Sequence, residues 1–250
     1  PLSRSVRLIR GEEDTTVVLY IIPRGSPLGG KPTKLALTRG QVNLTDQAAS
    51  ASSRSLTNGL GAVRRVGVID IPEFYADLRG ERDGKEEPRS LTEDVRQLLE
   101  ELDPDSLDGL VIDLRNNGGG ALREAIRLTG LFIPSGPVVQ VRSRRGVRIL
   151  NDPDPGVVYD GPLVILVNRL SASASEIFAG AMKDYGRAVL IGDSKTHGKG
   201  TVQALVGLRP SAPELGSLKF TTASFYRVSG ASTQLRGVES DIVIPSIYDY

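Results

Sequence analysis

The chain contains no cysteine. That removes disulfides, thiolate zinc sites and a cysteine nucleophile together, and leaves the redox compartment open. A single histidine in 250 residues excludes His-rich metal sites. Apolar runs such as Gly161 to Val167 are strand-length, far short of the ~20 residues a bilayer span needs. Pro1 opens no signal-peptide pattern, so a soluble chain without a membrane span is expected. Charge of one sign is missing too. Lys plus Arg total 31 against 30 Asp plus Glu, a net charge of +1 with no basic half or acidic tail, so no nucleic-acid partner is expected. What remains is ordinary globular material: 39% hydrophobic residues and 28 glycines, enough for one large core and one or two domains.

The element pattern predicts an α/β protein. Ser5 to Arg10 reads as a short helix stopped at Gly11, and Thr16 to Ile22 as a strand. Pro23 to Lys31 is a Pro/Gly loop, Lys34 to Leu44 alternates like a hairpin arm, and Gln47 to Gly61, small and polar, reads as a flexible connector. Leu91, Val95, Leu98, Leu99 and Leu102 form one helical stripe. Val66 to Ile71, Gly109 to Leu114 and Pro162 to Val167 read as buried strands, the last two followed by helices over Ala121 to Leu131 and Ser175 to Asp184. Strand, helix, strand, helix implies a mostly parallel sheet with crossovers. Val189 to Ile191, Lys219 to Phe225 and Asp241 to Ile244 are further short strands.

Ligands of open α/β sheets gather at the carboxyl ends of strands. After Leu114 comes RNNGGG, three glycines ahead of a helix; it serves as a tight turn or aims backbone N–H groups at an anion or oxyanion. It is no dinucleotide fingerprint, because Arg123 stands where a glycine is needed. After Val167 comes SASASE, where a serine meets the unpaired N–H groups and positive dipole of a helix start. At least one of these serines caps, and position alone does not say which of Ser171, Ser173 and Ser175 attacks. After Ile191 comes GDSKTHGKGTVQ, whose GKGT fails the phosphate-loop spacing. This loop offers two bases. His197, with Asp184 or Asp193, would complete a triad. Lys199 would need its amine, ordinarily charged up to about 10.4, kept neutral by burial, with Gln203 as an uncharged partner. Four residues of strand span roughly 13 Å, so cooperation of Lys199 with Gln203 calls for a turn at Gly200.

VIDLRNNGGGAL (111–122), TGLFIPSGPVVQVR (129–142), LVNRLSASASEIFAGAMKDYGRAVLIG (166–192), GKGTVQ (198–203) and FYRVSGASTQLRGVESDIVIP (225–245) together resemble the C-terminal processing peptidases. These are the serine–lysine tail-specific proteases of peptidase family S41, and the likeness is to the bacterial periplasmic members. The resemblance covers about the last three quarters of the chain and implies a ClpP/crotonase-like spiral ββα core over residues 61–250. It implies that residues 1–24 are the C-terminal remnant of a PDZ domain, with 25–60 a linker or hairpin segment. By the same resemblance Ser173 is the nucleophile, Lys199 the general base and Gln203 the amide that orients it. The oxyanion hole is the N–H of Ala174 with that of Gly120 or, second, Gly119, and Asp184 is a supporting carboxylate. No metal or cofactor is implied. Implied partners are protein substrates with apolar C-termini, an adaptor or homo-oligomer being left open, and the implied location is the periplasm or another exported space. The alternative is a non-catalytic peptide- or apolar-ligand-binding protein on the same fold.

Overall fold

The computed structural model describes residues 2–23, 25–27, 30–40, 48–57, 59, 61–77, 89–208 and 216–246. It divides into two compact units, Pro1–Asp46 and Gln47–Tyr250. In the first, helix α1 (Leu2–Ile9) precedes an antiparallel pair, β1 (Thr16–Ile21) and β2 (Thr33–Thr38). Arg39 fastens them, its guanidinium donating to the Ile9 carbonyl at 2.7 Å and to Thr15 Oγ1 at 2.7 Å. The predicted strand over Lys34 to Leu44 stops at Thr38, and its end at 41–44 lies outside the described residues.

The second unit is a mixed α/β fold with two sheets. Its elements are β3 (Ser50–Thr57), β4 (Val63–Asp70), α2 (Leu91–Leu102), β5 (Gly109–Asp113), α3 (Leu122–Gly130), β6 (Pro137–Ser143), β7 (Gly146–Asn151), β8 (Leu163–Val167), α4 (Ala174–Asp184), β9 (Val189–Gly192), β10 (Thr201–Gly207), β11 (Ser217–Tyr226) and β12 (Ile242–Val243). The larger sheet runs β12-β9-β8-β5-β4-β3, parallel from β12 to β4 and antiparallel at β3. The central strands GLVID and LVILV bury alternate side chains fully and the others partly, as a sheet covered by crossover helices requires. The smaller sheet, β10-β11-β6-β7, is antiparallel throughout.

One expectation needs correction. The small polar stretch Gln47 to Gly61 is not a bare connector: Ser50–Thr57 pairs residue for residue with Val63–Asp70. Nearly all of β3 is exposed, so an edge strand made of Ser, Ala and Arg needs no apolar alternation to pair. The β6–β7 pair and β10 carry no strand prediction either, and with β11 they form the whole second sheet.

The core lies between the parallel sheet and helices α2, α3 and α4. Val95, Leu99 and Leu102 of the α2 stripe are buried. Phe178 on α4 is fully buried, with ring centroids 5.9 Å from Phe132 and 6.4 Å from Phe74. An aromatic residue held this way is worth about 3–5 kcal/mol against alanine, and here it fixes the helix that begins beside the candidate site.

Candidate active site

The three loops at the carboxyl ends of β5, β8 and β9 meet as the parallel topology demands. Asn117 joins the first two. Fully buried, it donates to the Ile71 carbonyl at 2.7 Å and accepts from Gly119 N–H at 2.8 Å, while its backbone carbonyl accepts Ala172 N–H at 2.9 Å and Ser175 Oγ–H at 3.0 Å. An asparagine ahead of glycines forms such a turn because its short side chain reaches the backbone two residues on.

The geometry separates the three serines. Ser171 and Ser175 are fully buried, and their hydroxyls donate to the carbonyls of Leu114 (2.8 Å) and Asn117 (3.0 Å). Ser173 is half-buried and lines a cleft of about 360 Å³. It also carries the backbone strain of the loop, with φ +59° and ψ −111° on a non-glycine residue. A residue held there costs on the order of 1–3 kcal/mol and persists only where its surroundings over-determine it.

Lys199 and Gln203 line the same cleft, with Gly120, Ala174 and the apolar side chains of Leu122, Ile177, Val202 and Phe225. Lys199 is half-buried and Gln203 exposed. No hydrogen bond joins Ser173 Oγ to Lys199 Nζ, and the ammonium has no ion-pair partner among the described residues. The helical turn at Gly200 is absent. Gln203 lies in β10, and a register irregularity between Val202 and Gln203 interrupts the pairing to β11. The hairpin supplies the hydrogen bonds a helical turn would have supplied, and a bulge re-aims side chains at a strand's end.

Of the two glycines, Gly120 lines the cleft, whereas Gly119 N–H is already engaged by Asn117, and a Cβ added at Gly119 would stand 2.7 Å from Ser173 Cβ. The backbone N–H groups of Gly120 and Ala174 have no hydrogen-bond partner among the described residues. Ala174 is the first residue of α4, where an orphan N–H and the helix dipole both favour negative charge. At Gly120 a Cβ would stand 2.2 Å from the Phe74 carbonyl oxygen, at φ +147°, so the cradle admits glycine only.

His197 is exposed, does not line the cleft, and contributes its backbone N–H to the Ser171 carbonyl. Its two prospective carboxylates are engaged elsewhere. Asp193 accepts from Arg169 N–H at 2.9 Å; burial pushes its carboxyl up, but the hydrogen bonds of Arg169 and Ser246 and the Arg169 charge outweigh it and hold the group below the usual range. Asp184 closes the far end of α4, about 16 Å along the axis from Ser173. It pairs with Arg227 at 2.5 Å and accepts from Ser229 N–H and Oγ–H, fixing the turn after β11.

Sequence reasoning passed over Glu176, the last residue of SASASE. Fully buried, its carboxylate accepts four hydrogen bonds: from Ser173 N–H (2.9 Å) and Lys199 N–H (2.8 Å) on Oε2, and from Thr196 Oγ1 (2.7 Å) and Gly198 N–H (2.7 Å) on Oε1. One side chain therefore sets the spacing of the serine turn and the lysine loop. The signal was present, since Ser173-x-x-Glu176 matches a capping box.

A family model described as Peptidase family S41 matches residues 65–244. The chain belongs to this family. It is 44% identical over 250 residues to the tail-specific protease of Haemophilus influenzae, covering 98% of this chain and 33% of that protein. It is 33% identical over 211 residues to the carboxyl-terminal-processing protease of a Synechocystis species, covering 84% of this chain and 44% of that one. Among solved structures it is similar to a photosystem II D1 C-terminal processing protease, with a TM-score of 0.65 and 27% identity over 94% of this chain and 56% of that chain. The S41 chain thus spans a third to under a half of the length of these two curated relatives.

Proposed function

We propose that this S41 chain carries the catalytic core of a serine endopeptidase that trims proteins near their C-terminal tails. The observation behind this is one cleft that gathers a strained serine, an amide, and a lysine and two N–H groups without a partner among the described residues. Lys199, as free amine, takes the proton of Ser173 Oγ, and the alkoxide attacks the scissile carbonyl carbon. The oxyanion accepts from Gly120 and Ala174 N–H, donors fixed before the charge develops. Collapse expels the amine, which leaves with the proton held by Lys199. Water then attacks the acyl-enzyme, again giving its proton to Lys199; collapse breaks the bond to Ser173 Oγ, which takes that proton back as the acid product leaves, and the Gln203 amide oxygen orients the ammonium between steps. Asp184 supports the turn behind the cleft.

The reading extends to the S41 spiral core over 61–250, to residues 1–24 as the end of a PDZ module with 25–60 connecting, to substrates with apolar C-termini, and to an exported location. The apolar wall of Leu122, Ile177, Val202 and Phe225 suits such substrates. The test is hydrolysis of an unstructured protein by the wild-type, Ser173→Ala, Lys199→Ala and His197→Ala forms. Loss in the first two variants with retention in the third is expected; loss only in His197→Ala would overturn the assignment of the base.

A further inference from the structure

The cleft has a second cation that this mechanism does not use. Among its lining residues there is no Asp or Glu, and besides Lys199 the one charged side chain is Lys219. Lys219 lies on β11 opposite Leu205, two residues before Thr221, the cross-strand partner of Gln203. The two-residue repeat of a strand therefore puts Lys219 on the Gln203 face of the hairpin, as a diagonal neighbour roughly 7–8 Å away. On the same unit, Lys183 is tied to Asp241 at 2.5 Å and Lys195 to the Leu235 carbonyl at 3.2 Å. Lys219 is exposed, and its ammonium has no hydrogen bond or ion pair among the described residues.

We propose that Lys219 is a specificity-determining residue that receives a substrate carboxylate within the active-site cleft. The inference rests on the peptidase reading above. Lys199 is unsuited to that task, because a carboxylate paired with it would hold its proton and leave Ser173 without a base. A point-charge ammonium on a flexible stem is the complementary group for a carboxylate whose geometry varies. Beside the apolar wall, the substrate that fits presents an apolar side chain close to a negative charge. That charge has two sources, the free α-carboxylate of a short tail or an Asp or Glu side chain flanking the scissile bond.

Matched peptides separate them: one set ending in carboxylate or carboxamide, the other carrying Glu or Gln beside the cleavage site. For the wild type, kcat/KM should favour the charged member of one set by about tenfold, the scale of one charge-assisted contact. Lys219→Gln should bring that ratio near one, mainly through KM, Lys219→Arg should restore it, and Lys219→Glu should invert it. The same ratios are read as binding to Ser173→Ala protein by fluorescence anisotropy, which needs no turnover. Carboxylate-dependent binding that vanishes with Lys219→Gln in a chain that hydrolyses nothing would sink the peptidase reading and keep this one. Hydrolysis with unaltered ratios in Lys219→Gln, or no peptide binding at all, overturns it.

Discussion

Replacing Glu176 tests how the two halves of the site are held together. In Glu176→Gln one carboxylate oxygen becomes an NH2 group facing two donors. The best orientation keeps an oxygen toward Ser173 and Lys199 N–H and turns the NH2 toward Thr196 and Gly198. The Thr196 hydroxyl can rotate and accept, although it already accepts Val238 N–H at 2.8 Å. Gly198 N–H cannot, and an orphaned buried donor costs about 1–3 kcal/mol. Losing charge assistance on the surviving bonds brings the total to about 2–4 kcal/mol. For a unit of this size that is a fall of roughly 5–15 °C in Tm. Glu176→Ala, which strands all four donors, should approach or exceed ~5 kcal/mol and accumulate poorly. Because Ser173 and Lys199 N–H share one oxygen, the glutamine variant should lose kcat more than it raises KM. Thermal melts of the folded variant with peptidase kinetics are the assay. A Tm within about 2 °C of wild type together with unchanged kcat would refute the reasoning.

Gly120→Ala places a methyl group on the Phe74 carbonyl at a φ alanine rarely adopts, so it should abolish activity and lower Tm, read by melting and hydrolysis together. Phe178→Ala should cost about 3–5 kcal/mol in denaturant unfolding, because the ring fills the space between Phe74 and Phe132. Asp193, held below the ordinary 3.8, binds fewer protons folded than unfolded, so the stability it contributes is present above that value and lost as pH falls through its folded pKa. Asp193→Asn should therefore flatten the acid limb of the stability–pH curve below 3.8 in urea melts, and an unchanged slope would contradict that role.

Much of the parallel layer is legible in the sequence because burial writes itself as composition. The α2 stripe and the runs GLVID and LVILV mark both element and partner face, and the predicted helix Leu91 to Leu102 coincides with the observed one. Of the second sheet only β11 is legible; β7 is exposed along nearly its whole length and shows no clean period of two. The same reason hides β3. At the site, residue types leave three serines and two bases open, and the family resemblance alone selects Ser173 and Lys199; the commitments of Ser171 and Ser175 to distant carbonyls exist only once β5 and β8 lie side by side. Glu176 is hardest to read, because its partners at 196–199 lie on a loop some 20 residues away that only the crossover brings back.

The central claim is that an alcohol at residue 173 is made nucleophilic by the amine at residue 199. Treatment of the folded chain with a fluorophosphonate, followed by peptide mass mapping, reads this without any assumption about substrate. The account predicts a single adduct on Ser173 that disappears in Lys199→Ala and persists in His197→Ala. An adduct on another serine, or undiminished labelling of Ser173 without Lys199, would contradict it.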